Sequence, residues 1–74
     1  MQFEENNNAR AVTALIGALG APITNEVRIG AIEGLGRAGG ATALTHLIAL
    51  LATPMTNEVR AACLRAVGEA GRTI

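Results

Sequence analysis

The sequence predicts an all-α fold of four helices, arranged as two tandem helical hairpins. Residues 9–40 align with residues 41–72 at an offset of 32, and 15 of these 32 positions are identical. Within each copy, apolar residues recur at spacings of three and four, which is typical of one buried face of a helix. Pro22 and Pro54 stand at the same place in the two copies. They divide each copy into two helices, because proline cannot continue a helix.

The first helix of each copy is predicted over roughly residues 9–19 and 41–52. A polar, Asn-rich stretch precedes the first copy, and Asn8 at its end is a candidate N-cap because its side chain can accept from free amides of the first turn. The predicted domain organisation is therefore a leader followed by a single domain of two repeats: 1–8, then 9–74 containing the repeats 9–40 and 41–72.

The second helix of each copy is predicted to begin at Thr24 or Thr56, whose hydroxyl can cap the first turn. Gly39 and Gly71 are expected to end these helices in the left-handed conformation that glycine adopts without strain. Each helix carries a single apolar stripe that is predicted to be buried. The stripes are Val27, Ala31, Leu35 and Ala38 in the first copy, and Val59, Cys63, Val67 and Ala70 in the second.

Composition limits the classes of protein that this chain can represent. The 74 residues are half apolar, carry six Arg against six Glu, and include one Cys and one aromatic residue. Zero net charge argues against nucleic-acid binding through clustered basic residues, and a lone Cys excludes an intramolecular disulfide. The uncharged run 38–57 has a dense apolar part only over 43–52, too short to span a membrane. We expect a cytoplasmic protein that binds neither nucleic acid nor membrane.

A longer motif runs along the second helix of each copy: Val-Arg-x-x-Ala-x-x-x-Leu/Val-Gly-x-Ala-Gly, with Cys63 at the first Ala position in the second copy. It resembles the HEAT-like repeat of the phycobilin-lyase type, and the likeness covers residues 9–72. The residues that carry it are Val27, Arg28, Ala31, Leu35, Gly36, Ala38 and Gly39, then Val59, Arg60, Val67, Gly68, Ala70 and Gly71.

The resemblance implies a short α-solenoid of two HEAT-like helical-hairpin repeats. Two departures from the family pattern stand out. Thr24 and Thr56 occupy the place where the family often has an acidic residue, so its usual acid–Arg contact between helices is not implied here. The chain is also phased with the second helix of a usual repeat first, which leaves each end of the stack without its usual neighbouring helix.

Neither end of the predicted stack has an obviously polar capping helix, and repeat proteins need such caps to remain single. We therefore expect copies of the chain to associate as a homo-oligomer, either as a two-fold dimer or as a larger head-to-tail assembly. The alternative is that Phe3 folds back over the first helix and covers it. The predicted self-association surface comprises Val12, Leu15, Ile16, Leu64 and Val67.

In a solenoid the shorter helices typically line the concave side, so their outward positions form a candidate groove for a protein or peptide partner. On the second helices, stacking is predicted to place Glu33 beside Arg65 and Arg37 beside Glu69. Exposed ion pairs contribute only about 0–1 kcal/mol each, so we interpret them as setting register. The predicted groove residues are Arg10, Thr13, Gly17, Thr42, Thr45, His46 and Ala49.

No catalytic site, metal site or cofactor is expected. His46 has no His, Cys or carboxylate within a helical turn, and Cys63 replaces Ala31 in the repeat, as a small core residue does. Arg28 and Arg60 are expected to bind helix carbonyls or Glu between units. Some proteins with the resembling repeat attach bilins, and others bind iron through His-Glu pairs, a dipeptide that this sequence lacks.

The predicted function is a non-catalytic protein–protein interaction or assembly module. The alternative is an accessory part of a bilin-lyase-type enzyme, or a fragment of a longer solenoid. Because one repeat scaffold supports many functions, the fold alone does not select the partner.

Overall fold

A computed structural model describes the backbone of residues 2–72 and the side chains of residues 7–72. Four helices follow one another along the chain: α1 (Gln2–Leu19), α2 (Asn25–Ala38), α3 (Gly40–Leu50) and α4 (Asn57–Gly71). Helices α1 and α3 form one layer and α2 and α4 the other, and α2 contacts all three of its neighbours. None of these helices is long and apolar enough to cross a membrane. The architecture is the all-α, short solenoid of helical hairpins that the sequence predicts.

Two threonines start the helices of the second layer. The Val27 amide donates to Thr24 Oγ1 and the Val59 amide donates to Thr56 Oγ1, each over 3.3 Å. Both threonines have extended backbones, as N-cap residues do. The predicted capping of α2 and α4 is confirmed, and these caps fix where each of the two helices begins.

Glycine makes the sharp reversal between α2 and α3. Gly39 and Gly40 have φ angles of 69° and 89°, a region that strains any residue with a side chain. The Gly39 amide donates to Leu35 O over 3.0 Å and closes α2. The same role predicted for Gly71 is wrong, because α4 continues through Gly71 with a negative φ. Glycine permits a positive φ without requiring it, and Gly71 keeps the helical conformation.

The first helix is longer than predicted. Helix α1 begins at Gln2 and runs through the polar leader, so Asn8 lies inside the helix and is not its N-cap. The Asn8 side chain instead donates from Nδ2 to Ala38 O over 3.3 Å, at the end of α2. The side chain of Phe3, and with it the predicted covering of the first helix, lies outside the described residues. The polar leader thus helps to join α1 to α2.

The core lies between the two layers and is built from aliphatic side chains and one thiol. The largest fully buried residues are Ile32, Leu35, Leu47, Val59 and Cys63. Every helix supplies at least one buried residue to this cluster. Because the described residues of this cluster have small or aliphatic side chains, the packing depends on close approach of the helices.

One predicted core position is wrong. Val27 and Val59 share the segment Thr-Asn-Glu-Val-Arg, yet Val59 is 1% exposed and Val27 is 52% exposed. Val59 and Ile32 line the same cavity, where α2 meets α4. Val27 lies on the outer side of α2, at one end of the stack. An identical local sequence therefore meets a neighbouring helix in one copy and open surface in the other.

Helices α2 and α4 approach closely at Gly36. A Cβ atom on Gly36 would lie 2.9 Å from both Cα and Cβ of Ala66 and 3.2 Å from its carbonyl oxygen. Real Cβ atoms do not approach other atoms as closely as 2.9 Å, so the junction of the two repeats has no room for a methyl group there. Gly68, the repeat equivalent of Gly36, would meet no atom within 4 Å.

Candidate functional site

A groove separates α1 from α3, the two helices of the first layer. These helices touch each other little, because α2 packs against both and holds them in place. The cavity between them has a volume of about 400 Å³. Its lining comes from one residue of α1 and one face of α3: Ile16, then Ala41, Thr42, Thr45, His46 and Ala49.

The predicted groove is divided into separate depressions. Thr42, Thr45, His46 and Ala49 lie together around the α1–α3 cavity. Arg10 and Thr13 line a second depression on α1, beside Ala9 and Ala14. Gly17 is exposed on α1, and a Cβ there would meet no atom within 4 Å.

Ile16 is part of the groove, whereas the sequence predicts it on the self-association surface. It lies half-buried against the polar face of α3. The spacing of apolar residues in α1 indicates that Ile16 belongs to an apolar stripe. The sequence of α1 does not indicate which neighbouring helix that stripe contacts.

The groove is almost free of charge. Its lining residues contribute the hydroxyls of Thr42 and Thr45, the imidazole of His46, and apolar surface from Ile16. Hydroxyl and imidazole groups can donate or accept hydrogen bonds, while the isoleucine offers an apolar contact. Among the described residues, no three His, Cys, Asp or Glu side chains lie close enough together to hold a metal ion. The groove is suited to holding an uncharged segment by shape and a few hydrogen bonds.

The two repeated arginines behave differently. Arg60 donates from Nη1 to Leu51 O over 3.1 Å and from Nη2 to Thr53 O over 3.4 Å, so it binds the free carbonyls where α3 ends. This agrees with the expected contact to helix carbonyls. Arg28 instead lines a cavity of about 320 Å³ between α2 and the α3–α4 connection, and its guanidinium makes no hydrogen bond within the described part of the chain. Only one of the pair therefore fastens the end of a helix.

The ends of the stack carry exposed apolar side chains. The exposed large hydrophobic residues of the described chain are Val27, Ile48 and Leu64, at 52%, 53% and 55% exposure. Val67 is half-buried beside Leu64 on α4. The α4 residues predicted for self-association are therefore accessible in the single chain, and the exposed apolar residue at the other end of the second layer is Val27.

On α1, the predicted self-association surface is corrected. Val12 is 5% exposed and belongs to the core. Leu15 is half-buried, and its Cδ2 lies 2.9 Å from where a Cβ on Gly34 would be. Because α1 packs its apolar stripe onto α2, the exposed valine at this end of the molecule is Val27 on α2.

The charged side chains between α2 and α4 are only partly paired. Arg65 Nη2 lies 3.7 Å from Glu33 Oε2, and both side chains are substantially exposed. Within the described residues, no ion pair joins Arg37 to Glu69. An exposed ion pair is hardly more stable than the same two side chains separately hydrated, so Arg37 and Glu69 need not pair.

Cys63 is buried where α3 packs on α4. Its Sγ donates to Leu47 O over 3.4 Å. Burial raises the pKa of this thiol, and the positive charge of Arg60 lowers it by a smaller amount. The side chain is a free thiol inside the core, and a raised pKa leaves little of the reactive thiolate.

The raised pKa of Cys63 predicts a loss of stability in alkaline solution. The folded state holds the thiol proton more tightly than the unfolded state, so the stabilisation is complete below the ordinary pKa of 9.0 and is lost as the pH rises from there through the raised pKa of the folded thiol. Lys and Tyr are absent from the sequence, so few other groups titrate there. We expect the free energy of unfolding in urea to fall across this range. The decline should disappear in Cys63→Ala; a decline of equal size in that variant would contradict the assignment.

Comparison with known proteins is informative at the level of the repeat. The profile of a family described as HEAT repeats matches residues 1–68. Searches of curated proteins and of solved structures each gave no match. The match covers most of the chain, including all of α1, α2 and α3.

Proposed function

Because this chain belongs to the HEAT repeat family, we propose that it is a non-catalytic module for protein–protein interaction and assembly. HEAT repeats generally mediate protein–protein interaction, and the family is typically a scaffold without catalytic activity. Stacked repeats present extended surfaces rather than enclosed pockets, which suits them to bind other polypeptides.

One observation carries the proposal that the module self-associates. The exposed large hydrophobic residues, Val27, Ile48 and Leu64, all lie at the two ends of the stack. Exposed apolar area of this kind gains free energy when another protein covers it, at about 25 cal/mol per Å². In a domain with one small aliphatic core, such burial is a substantial addition to stability.

A second surface, the α1–α3 groove, is proposed to bind a partner segment. Its chemistry favours a short helix or extended peptide with apolar and uncharged polar side chains, because no charged residue lines it. Ile16 would contact an apolar side chain, and Thr45 and His46 would hydrogen-bond to polar groups of the partner. This surface is distinct from the ends, so both contacts can form at once.

Within the family, we propose that these repeats are of the phycobilin-lyase type. The support is the Val-Arg…Gly-x-Ala-Gly motif in both copies, which concerns the repeat and not the lyase reaction. We propose the cytoplasm as its location, where a free thiol such as that of Cys63 stays reduced.

Self-association is tested by sedimentation velocity across a concentration series. We expect the mass to rise above the 7.5 kDa of one chain as the concentration increases through the micromolar range. The replacement Leu64→Glu should return the protein to a single chain without loss of helical circular dichroism. A wild-type protein that keeps the mass of one chain throughout the series would disprove the assembly role.

Groove binding is tested with peptides selected from a displayed library against the wild-type protein. We expect the peptides to lose at least tenfold in affinity for Thr45→Glu, because a carboxylate would project into the uncharged groove. The control is Asn57→Glu, at the exposed start of α4 and away from the groove, which should bind as the wild type does. Peptides that bind Thr45→Glu undiminished would show that the groove is not the binding surface.

A further inference from the structure

We propose that copies of this chain stack head to tail, so that the 32-residue repeat continues from α4 of one copy to α2 of the next. The proposal rests on the proposed self-association and adds its geometry. The junction between copies would reproduce the junction that α2 and α4 already form within one chain. The exposed residues at the α4 end of one copy would then contact the exposed residues at the α2 end of the next copy.

The face of α4 that points away from α2 has the residues of a junction face. Leu64 is 55% exposed, but its repeat equivalent Ile32 is 1% exposed at the internal junction. Gly68 would meet no atom within 4 Å, whereas its equivalent Gly36 lies against the backbone of Ala66. This face therefore repeats the side of α2 that receives α4, with nothing packed on it in the described chain.

The face at the other end repeats the side of α4 that packs on α2. Val27 is 52% exposed, and its equivalent Val59 is 1% exposed. Gly30 has open space around it, and its equivalent Ala62 is fully buried. Since one end resembles α2 and the other resembles α4, the two ends fit each other as the two helices do.

In the first layer, too, residues exposed at the ends of the stack have repeat equivalents that are packed inside it. Ala11 is exposed on α1, whereas its equivalent Ala43 is fully buried. Ile48 is exposed on α3, and its equivalent Ile16 packs at the α1–α3 groove. Stacking a second copy in the internal register would place Ile48 against the outer face of the next α1. The equivalence thus extends over both layers of the solenoid.

The charges are complementary in the same register. Within a chain, Arg65 on α4 pairs with Glu33 on α2 over 3.7 Å. Moving by one further repeat places Arg65 of one copy beside Glu33 of the next copy, so the attractive pair recurs. The close approach also recurs, with Gly68 beside Gly34 of the next copy, where the internal junction has Gly36 beside Ala66. A displaced register would lose both matches.

A two-fold dimer would satisfy only half of these features. Packing α4 of one copy against α4 of another would cover Leu64 but leave Val27 exposed in both copies. A head-to-tail contact covers both faces, and it closes into a ring or continues as a filament according to the rotation per step. The two arrangements therefore predict different behaviour when one end is blocked.

The test is to block each end separately with the same bulky, charged residue. Gly30→Arg blocks the α2 end and Gly68→Arg blocks the α4 end, and both side chains would enter open space in the single chain. Arginine favours helix more than glycine does, so neither variant should lose helicity. In a head-to-tail assembly each variant alone has the mass of one chain. Their equimolar mixture forms a dimer and nothing larger, because each variant retains one free end of opposite type.

The control is Ala52→Arg, in the connection between α3 and α4. Ala52 and its equivalent Gly20 are both exposed, so this position stays outside a junction that repeats the internal one, and the variant should assemble as the wild type does. If Gly30→Arg alone associates like the wild type, or if the mixture stays at the mass of one chain while the wild type associates, the head-to-tail geometry is wrong. A monomeric wild type would overturn the proposed self-association itself.

Discussion

Replacing Ile32 by alanine is expected to cost about 2–5 kcal/mol of folding free energy. Ile32 is 1% exposed and lies where α2 meets α4, so the variant would leave a cavity that the surrounding helices fill only in part. A single core in a chain of this size rarely supplies more than about 3–5 kcal/mol of net stability. We therefore expect the variant to be largely unfolded at room temperature, as measured by urea denaturation with circular dichroism.

The matched control for this variant is Leu64→Ala, at the same position of the other repeat. Leu64 is 55% exposed, so its truncation should change stability by no more than about 0.5 kcal/mol when measured at a concentration where the protein is monomeric. Equal losses in the two variants would mean that the two positions are equally enclosed, contrary to the structure.

Replacing Gly36 by alanine is expected to lower stability although alanine is the better helix former. The new Cβ would lie 2.9 Å from Ala66 Cα, and forcing the helices apart costs about 1–3 kcal/mol. Gly68→Ala makes the same change in open space and should gain about 0.5–1 kcal/mol from helix propensity. At about 4–8 °C per kcal/mol, thermal melting should separate the two variants clearly.

The sign of the difference is the decisive observation in that experiment. A gain in melting temperature for Gly36→Ala as large as that for Gly68→Ala would show that α2 and α4 do not approach closely at this point. Because Gly68→Ala also adds a methyl group to the exposed end of α4, both proteins are compared at the lowest concentration that gives a signal. The comparison then concerns the single chain.

These pairs of positions share a general lesson about tandem repeats. The two copies are 15 of 32 identical, yet equivalent residues such as Ile32 and Leu64 differ from fully buried to mostly exposed. In a stack, each unit supplies one wall of its neighbour's environment. A residue at the end of the stack therefore occupies a core position of the repeat but has the surroundings of a surface residue.

Most of the fold could be predicted from the sequence because its signals are local. Thr24 and Thr56 were identified as caps from their place before Glu-Val-Arg, and both accept from the expected amide. Gly71 does not adopt the positive φ of Gly39, because glycine permits that conformation without requiring it. The start of α1 was missed because Asn is a cap in some contexts and is tolerated inside a helix in others.

The candidate groove could be predicted only in part. Helical periodicity places Thr42, Thr45, His46 and Ala49 on one face of α3, and the structure sets them around one cavity. The contribution of Ile16 depends on the distance between α1 and α3, which is set by how both pack on α2. Such spacing is a property of the assembled core and has no signature in either helix alone.

The sequence by itself determined the number of helices, their order, the caps at Thr24 and Thr56, and the 32-residue period, because each depends on residues close together in the chain. The tertiary structure decided which copy of a repeated residue is buried. Val27 and Val59 have the same neighbours in sequence but 52% and 1% exposure. Burial is fixed by helices distant in sequence, and within the second layer α2 has a neighbour, α4, on one side only.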